Sequence, residues 1–195
     1  PLMKVSDYLC DIAETILAAA VEIAWNHLTN RHGAPSSMLN EQACDKGFAV
    51  IAYGKLGGLE LGYTSDLDVV FIHCGIPGQT AGKHPIENSQ FFARLGQRVV
   101  HTLSTYTAAG KIYDIDMRLR PNGKSGMLVT PINAFRSYQE KDAWTWEHQA
   151  LVRARGIGGD RSVIDAFEAI RNTIVQRERD GAKLLAEVVE MREKM

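Results

Sequence analysis

The amino-acid sequence predicts an α+β fold, in which a long helix leads into a small strand-bearing core and a helical extension closes the chain. Three observations carry this. Apolar residues recur at three- and four-residue steps over residues 6–32, short β-prone segments cluster within residues 48–119, and the remainder is a run of helical patterns. Strands and helices do not alternate regularly, so a repeating βαβ sheet is excluded.

The leading helix follows from Leu9, Ile12, Ala13, Ile16, Leu17, Ala20, Ile23, Ala24 and Leu28, with Ser6 or Asp7 as N-cap and Gly33 then Pro35 as the stop. Residues 35–47 are polar and read as a surface connection. Residues 48–53 are short, apolar and β-prone, which predicts a buried strand. Residues 54–62 form a glycine-dense loop, and residues 66–73 a second strand. A loop broken by Gly75, Pro77, Gly78 and Gly82 leads to a helix over 86–105, whose Phe91, Phe92, Leu95, Val99 and Leu103 share one side. After Gly110, residues 111–119 alternate strictly as a third strand. Thr130 and Pro131 read as N-cap and first-turn proline of a helix through Gln139. Helices over 142–155, 162–176 and 182–195 complete the run, broken at 156–160 and at Gly181. The implied organisation is a leading helix and connection over 1–47, a core over 48–141 and a helical extension over 142–195.

Composition narrows the function classes. The chain has 22 Lys and Arg against 23 Asp and Glu, a formal net charge of −1, without the broad basic surface of a general nucleic-acid binder. With 45% hydrophobic and 23% charged residues it is of ordinary globular make-up. Cys10, Cys44 and Cys74 are too few and scattered for a disulfide framework and fit a reducing, cytoplasmic setting. The adjacent His73-Cys74 lacks a second pair at zinc-site spacing. The longest apolar run, residues 16–24, contains Glu22 and is too short to span a bilayer; no cleavable signal pattern is present, and no membrane partner is expected. The chain opens at Pro1 and stops at Met195 inside a helical pattern, as an excised piece of a longer protein would.

The chemistry is concentrated in acidic strand positions. Asp66 and Asp68 project from one face with Cα atoms about 7 Å apart, while Leu67 and Val69 face apolar packing. Two carboxylates on one face repel unless a cation lies between them or one is protonated. On the third predicted strand, Asp114, Asp116 and Arg118 share a face opposite Tyr113, Ile115, Met117 and Leu119. If the two strands are neighbours, an acidic residue of this face completes a three-carboxylate cradle for one or two Mg²⁺ ions, the hardware of phosphoryl or nucleotidyl transfer. An Asp-x-Asp at a strand start is also common without any metal.

The segment Gly54-Lys55-Leu56-Gly57-Gly58 suits close approach of an oxyanion to backbone N–H groups. It is neither a Walker A loop nor a dinucleotide fingerprint, and in most proteins a glycine loop after a strand is only a turn. Arg118, Arg120 and Lys124 stand downstream, either to neutralise a triphosphate or to form a solvated face. Trp144, Trp146, Leu151 and Val152 read as packing residues. Arg153 and Arg155 either reach the site or form surface pairs.

The order Gly57-Gly58, Asp66-Leu67-Asp68, then Asp116 in an apolar strand resembles the nucleotidyltransferase superfamily of DNA polymerase β type. Longer strings are more specific: YGKLGGLELGYTSDLDVVF, DMRLRPNGKSGMLVT, AWTWEHQALVRAR and EMREKM. Together they are similar to the family of bifunctional glutamine synthetase adenylyltransferase/deadenylylases, over essentially the whole chain. The resemblance implies a nucleotidyltransferase (polymerase-β-like) fold, a small mixed sheet flanked by helices. That family carries two related nucleotidyltransferase domains. The amino-terminal one removes AMP from a tyrosine of glutamine synthetase by phosphorolysis, and the carboxy-terminal one attaches it from ATP. Gly62-Tyr63 stands where the removing domain usually has Asn-Phe, and Thr145-Trp146-Glu147-His148 where it has an Arg-Asp-Trp-Glu-Arg-type segment. Both resemble the attaching, adenylyltransferase domain.

Carried over residue by residue, the resemblance implies that Asp66, Asp68 and Asp116 are catalytic and bind Mg²⁺. It places Gly57, Gly58, Ser65, Arg118 and Arg120 along the nucleotide. Asp114 falls where an acidic residue is usual and stays outside the metal-binding set. The implied partners are ATP and glutamine synthetase as protein substrate, with a PII-type regulatory protein acting through the full-length enzyme; neither nucleic acid nor membrane is implied. Deadenylylation and a non-catalytic module that binds a PII-type protein are the alternative readings. The closing EMREKM implies continuation into further helices.

Overall fold

In the computed structural model, which describes residues 2–108, 110–179 and 181–194, the amino-terminal apolar stripe forms helix α1 (Leu2–His32). The sequence features read at Pro1 and Met195 lie outside the described residues. Ala13, Leu17, Ala20, Val21, Ala24 and Leu28 are buried along α1, whereas Ile12 and Ile23 lie on its flank and are exposed. The expected surface connection holds a short hairpin, β1 (Met38–Leu39) against β2 (Gln42–Ala43), turned by Asn40 and Glu41 at positive φ.

The sheet is built around two buried antiparallel strands, β3 (Phe48–Ala52) and β4 (Leu67–His73). On the far side of β3 lies β7 (Arg155–Gly159), antiparallel to it. On the far side of β4, β5 (Ile115–Asp116) and β6 (Val129–Pro131) both pair in parallel, β5 at its start and β6 at its end.

Alternate residues of the central strands feed two cores. Phe48, Val50, Leu67, Val69 and Phe71 pack against α1 and against Phe91, Phe92, Leu95 and Val99 of α3 (Asn88–Ser104). Ile51, Val70 and Ile72 pack against α4 (Ile132–Lys141), α5 (Thr145–Val152) and α6 (Arg161–Val175), through Phe135, Leu151, Phe167 and Ile170. Strands covered on both faces read as continuous apolar runs, which is why VIAY and VVFI carry no polar alternation. The result is a small mixed sheet flanked by helices, consistent with a nucleotidyltransferase-like fold.

Four local expectations differ. Of residues 111–119, only Ile115 and Asp116 pair as strand; Ile112 and Tyr113 instead donate to the Leu103 carbonyl at the end of α3, at 3.2 and 3.0 Å. Thr130 is a buried residue of β6, and Pro131 takes the N-cap position of α4. The expected break at 156–160 is largely β7. Its glycines permit close contact: a Cβ at Gly156 would stand 2.4 Å from Ile164, and one at Gly159, where φ is +99°, would stand 2.1 Å from the Phe48 carbonyl oxygen. Trp144 and Trp146, expected to pack, are 71% and 41% exposed, while Leu151 is buried and Val152 exposed. Helix α7 (Gly181–Lys194) follows, meeting α5 through a hydrogen bond from Thr145 to Glu187. Among the described residues no helix is long and apolar enough to cross a membrane.

Candidate active site

The parallel register of β4 and β5 brings the two acidic segments together. Leu67 stands opposite Ile115 and Asp68 opposite Asp116, while the Leu67 N–H donates to the Asp114 carbonyl at 2.9 Å. Leu67 and Ile115 go to the core shared with α3. By strand alternation, Asp68 and Asp116 emerge together on the other face. Asp66 precedes the strand and is exposed.

Their electrostatic states differ. Asp68 is half-buried, and among the described residues its carboxylate accepts no hydrogen bond. Burial first, then the charges of Asp66 and Asp116, push its carboxyl above the ordinary carboxylate range, against the opposing pull of Arg118 and Lys55. Asp116 is the reverse case. Arg118 donates its backbone N–H to Oδ1 at 2.8 Å and its Nε–H to Oδ2 at 2.7 Å, and this pairing holds the carboxyl below its usual range. The Asp116 side chain is 13% exposed and that of Arg118 71%. Asp114 pairs with Lys111 at 2.6 Å.

An open cleft of about 500 Å³ runs along this edge, lined by Asp66, Asp114, Asp116, Arg118, Arg120 and Lys124. Within it Arg120 is engaged by the backbone, donating to the carbonyls of Met117 at 2.8 Å and Lys124 at 3.2 Å. That shapes the 117–126 loop and leaves Arg118 and Lys124 facing solvent. Among the described residues no group of three His, Cys, Asp or Glu side chains is placed to hold a metal ion, and the Asp116 carboxylate is paired with Arg118. The donor chemistry nevertheless fits a hard divalent cation. It is all oxygen, and the Asp68 carboxylate has no hydrogen-bond donor while two like charges press on it.

The glycine loop is partly helical: α2 (Gly54–Gly57) follows β3 directly. Gly54 has φ of +52°, and a Cβ there would lie 2.2 Å from Asp68 Oδ2, so only glycine lets the carboxylate and the loop meet. At Gly57 a Cβ would stand 2.2 Å from the Arg153 carbonyl oxygen, and at Gly58 it would stand 3.1 Å from Arg153 Nε. Ser65 accepts from the Gly62 N–H at 3.1 Å, closing the turn before Asp66.

The family model described as Glutamate-ammonia ligase adenylyltransferase matches residues 1–170. The chain belongs to that family. It is 55% identical to a protein of Pseudomonas syringae pv. tomato, 55% to one of Pseudomonas putida and 54% to one of Nitrosococcus oceani. Each of these is named bifunctional glutamine synthetase adenylyltransferase/adenylyl-removing enzyme. Each match covers 100% of this chain and 20% of the relative, so the chain spans about a fifth of their length.

In this adenylyltransferase-family chain, sequence reasoning missed the supports of the glycine loop. Arg155 donates to the Gly57 and Leu56 carbonyls, both at 3.1 Å, and pairs with Glu14 of α1. Arg153 pairs with Glu60. Of the two alternatives for these arginines, site contact or surface pair, Arg153 takes the surface pair, while Arg155 takes neither and ties the glycine loop to α1. The one signal was the Arg-Ala-Arg end of AWTWEHQALVRAR, which the family resemblance contains but periodicity does not explain.

Proposed function

We propose that this chain is the part of a glutamine synthetase adenylyltransferase that transfers AMP from Mg²⁺-ATP to a tyrosine of glutamine synthetase. The observation that carries the proposal is the β4–β5 register, which sets Asp68 beside Asp116, with the charge of Asp66 bearing on Asp68. Asp66, Asp68 and Asp116 would hold Mg²⁺, which supplies neutralisation of phosphate charge and polarisation of the phosphorus when bound. Gly57, Gly58 and Ser65 line the approach of the nucleotide phosphates, and Arg118 exchanges Asp116 for a phosphate oxygen. Arg120 keeps the loop that carries Arg118 and Lys124 in shape. In the transfer, the tyrosine oxygen bonds to the α-phosphorus as the bond to the β-phosphate breaks and pyrophosphate leaves. The phenolic proton passes to a carboxylate oxygen of Asp116 once Arg118 has released it. A PII-type protein would act through the rest of the longer protein.

The relatives' name joins an adding and a removing activity, and both would use the same acidic face. Incubation with unmodified glutamine synthetase, labelled ATP and Mg²⁺ separates them. Incorporation of AMP that is lost in both Asp66→Asn and Asp68→Asn, with folding retained, supports the proposal. Phosphate-dependent release from adenylylated glutamine synthetase without incorporation supports removal. Transfer that persists in both variants overturns the assignment of the site, and failure to bind nucleotide in the longer protein favours a non-catalytic module.

A further inference from the structure

Two of the three cysteines, thirty residues apart in sequence, meet at the end of the sheet remote from the acidic face. Cys74 follows β4 directly and Cys44 follows β2. The Cys74 S–H is directed at the Cys44 sulfur at 3.0 Å. The backbone holds both in place: the Cys74 N–H donates to the Gly47 carbonyl at 2.9 Å, the Cys44 N–H to the Ser37 carbonyl at 3.1 Å, and the Met38 N–H to the Cys74 carbonyl at 3.0 Å. The turn between Cys44 and Gly47 is fixed further by the Asp160 carboxylate, which accepts from the Lys46 and Gly47 N–H groups at 3.0 and 2.9 Å. Six positions of extended chain separate Cys74 from Asp68, about 20 Å, so this pair is independent of the acidic face.

The two thiols are unequally exposed. Cys74 is 5% exposed, whereas Cys44 is half-buried and lines a separate cleft of about 380 Å³ with Leu39, Gln42, Ser162 and Asp165. The Ser162 hydroxyl, which donates to Asp160 Oδ1 at 2.6 Å, lies 3.4 Å from the Cys44 sulfur. Burial pushes the Cys74 thiol up, followed by its hydrogen bond to Cys44, so it stays protonated and behind its partner.

We infer that Cys44 and Cys74 form a peroxide-responsive modification site, in which oxidation joins them as an intramolecular disulfide. In the first step Cys44 enters from the cleft side: its sulfur attacks one oxygen of hydrogen peroxide, the O–O bond breaks, and a sulfenic acid and water form. In the second, the Cys74 sulfur attacks the Cys44 sulfur. Its proton leaves with the departing hydroxide as water, and the S–S bond closes. Two thiols are oxidised and one peroxide is reduced to two waters. The ring so closed contains β3, α2 and β4, and with them Asp66 and Asp68. Cys10 takes no part, being fully buried in α1.

The test is peroxide treatment of the purified chain, followed by denaturation, thiol alkylation and mass spectrometry. The expected result is the loss of two hydrogens from the intact mass, alkylation of Cys10 alone, and a non-reduced peptide linking Cys44 to Cys74. In Cys74→Ser, Cys44 stops as a sulfenic acid that dimedone traps. Alkylation of all three cysteines after treatment overturns the inference. So does oxygen addition at Cys44 without a cross-link, or a link that involves Cys10 or a second chain. The wild-type readout needs no variant to fold.

Discussion

Asp68→Asn separates what the acidic face costs the fold from what it does for chemistry. Asparagine keeps the size of the side chain and removes one charge from a position opposite Asp116 in the β4–β5 register. Among the described residues the Asp68 carboxylate accepts no hydrogen bond, so none is lost. Like charges directly opposed across strands are destabilising, here with half-burial added, and relief of one such pair is about 1 kcal/mol. For a chain of this size that raises Tm by roughly 2–4 °C. The sign follows from linkage. The folded-state pKa of Asp68 lies above its unfolded value, first through burial and then through Asp66 and Asp116. Its charge therefore opposes folding above the folded-state pKa, and the penalty vanishes as pH falls below the ordinary carboxylate value of about 4. The variant should gain stability at pH 7 without metal, and lose that advantage near the bottom of the carboxylate range. Mg²⁺ should raise Tm of the wild type and not of the variant, because only the wild type presents the full charge set. AMP transfer should fall by at least about 100-fold. Thermal unfolding across pH, with and without MgCl₂, reads all of this except transfer. A variant no more stable than wild type at pH 7, or an equal Mg²⁺ response in both proteins, refutes the reasoning.

Three further outcomes follow from the same geometry. Gly57→Ala forces a Cβ to within 2.2 Å of the Arg153 carbonyl and should cost roughly 1–3 kcal/mol in urea unfolding. Asp160→Asn weakens the α6 N-cap, where Asp160 accepts from the Ser162 N–H at 3.0 Å, together with the bonds from Lys46 and Gly47, and should cost about 1–2 kcal/mol at pH 7. Burial raises the Asp160 carboxyl but the hydrogen bonds, from Ser162 foremost, leave it lowered overall; its contribution is therefore present above the unfolded-state pKa and lost as pH falls through the folded one, and the two proteins should converge in acid. Arg118→Ala should cost about 1 kcal/mol, since the guanidinium is 71% exposed but the Asp116 carboxylate it pairs is only 13% exposed, while raising the KM for ATP in steady-state kinetics.

The elements that periodicity resolves are those with long apolar faces. Helix α1, α3, α6 and the central strands β3 and β4 were legible because burial on one stripe or on both faces writes itself into the apolar pattern. Strands β6 and β7 were not. RGIGG is read as a break because glycine lacks both apolar mass and β-propensity, yet its glycines are what allow the chain to lie against Phe48 and under Ile164. The strand expected over 111–119 failed for a different reason. Strict alternation fixes which side chains share a face but not which backbone accepts the hydrogen bonds, and the end of α3 captures Ile112 and Tyr113. Of the candidate site, the pairing of Asp68 with Asp116 followed from assuming neighbouring strands. The grip of Arg118 on Asp116 did not, because it depends on a two-residue return of the chain that spacing alone does not encode.

The acidic face lies where the sheet can tolerate it. Along β4 the even positions run Asp68, Val70, Ile72, and only the first sits at the strand's open end; the other two are sealed under α4 and α6. One step further into the sheet, an unpaired carboxylate would meet Phe135 or Phe167 and no cation could approach it. One step outward, as at Asp66, the side chain precedes the strand and is exposed, although its charge still presses on Asp68. Asp68 therefore occupies the one register that is rigid enough to fix a carboxylate and open enough to let it meet a ligand. The price of that register is visible in the surrounding choices. Glycine is required at position 54 to clear the Asp68 oxygen, and Arg155 ties the loop that begins there to α1 through Glu14. Arg155 of β7 thus ties the loop to α1, so the long leading helix, none of whose described residues lines the cleft, helps set the geometry of the site.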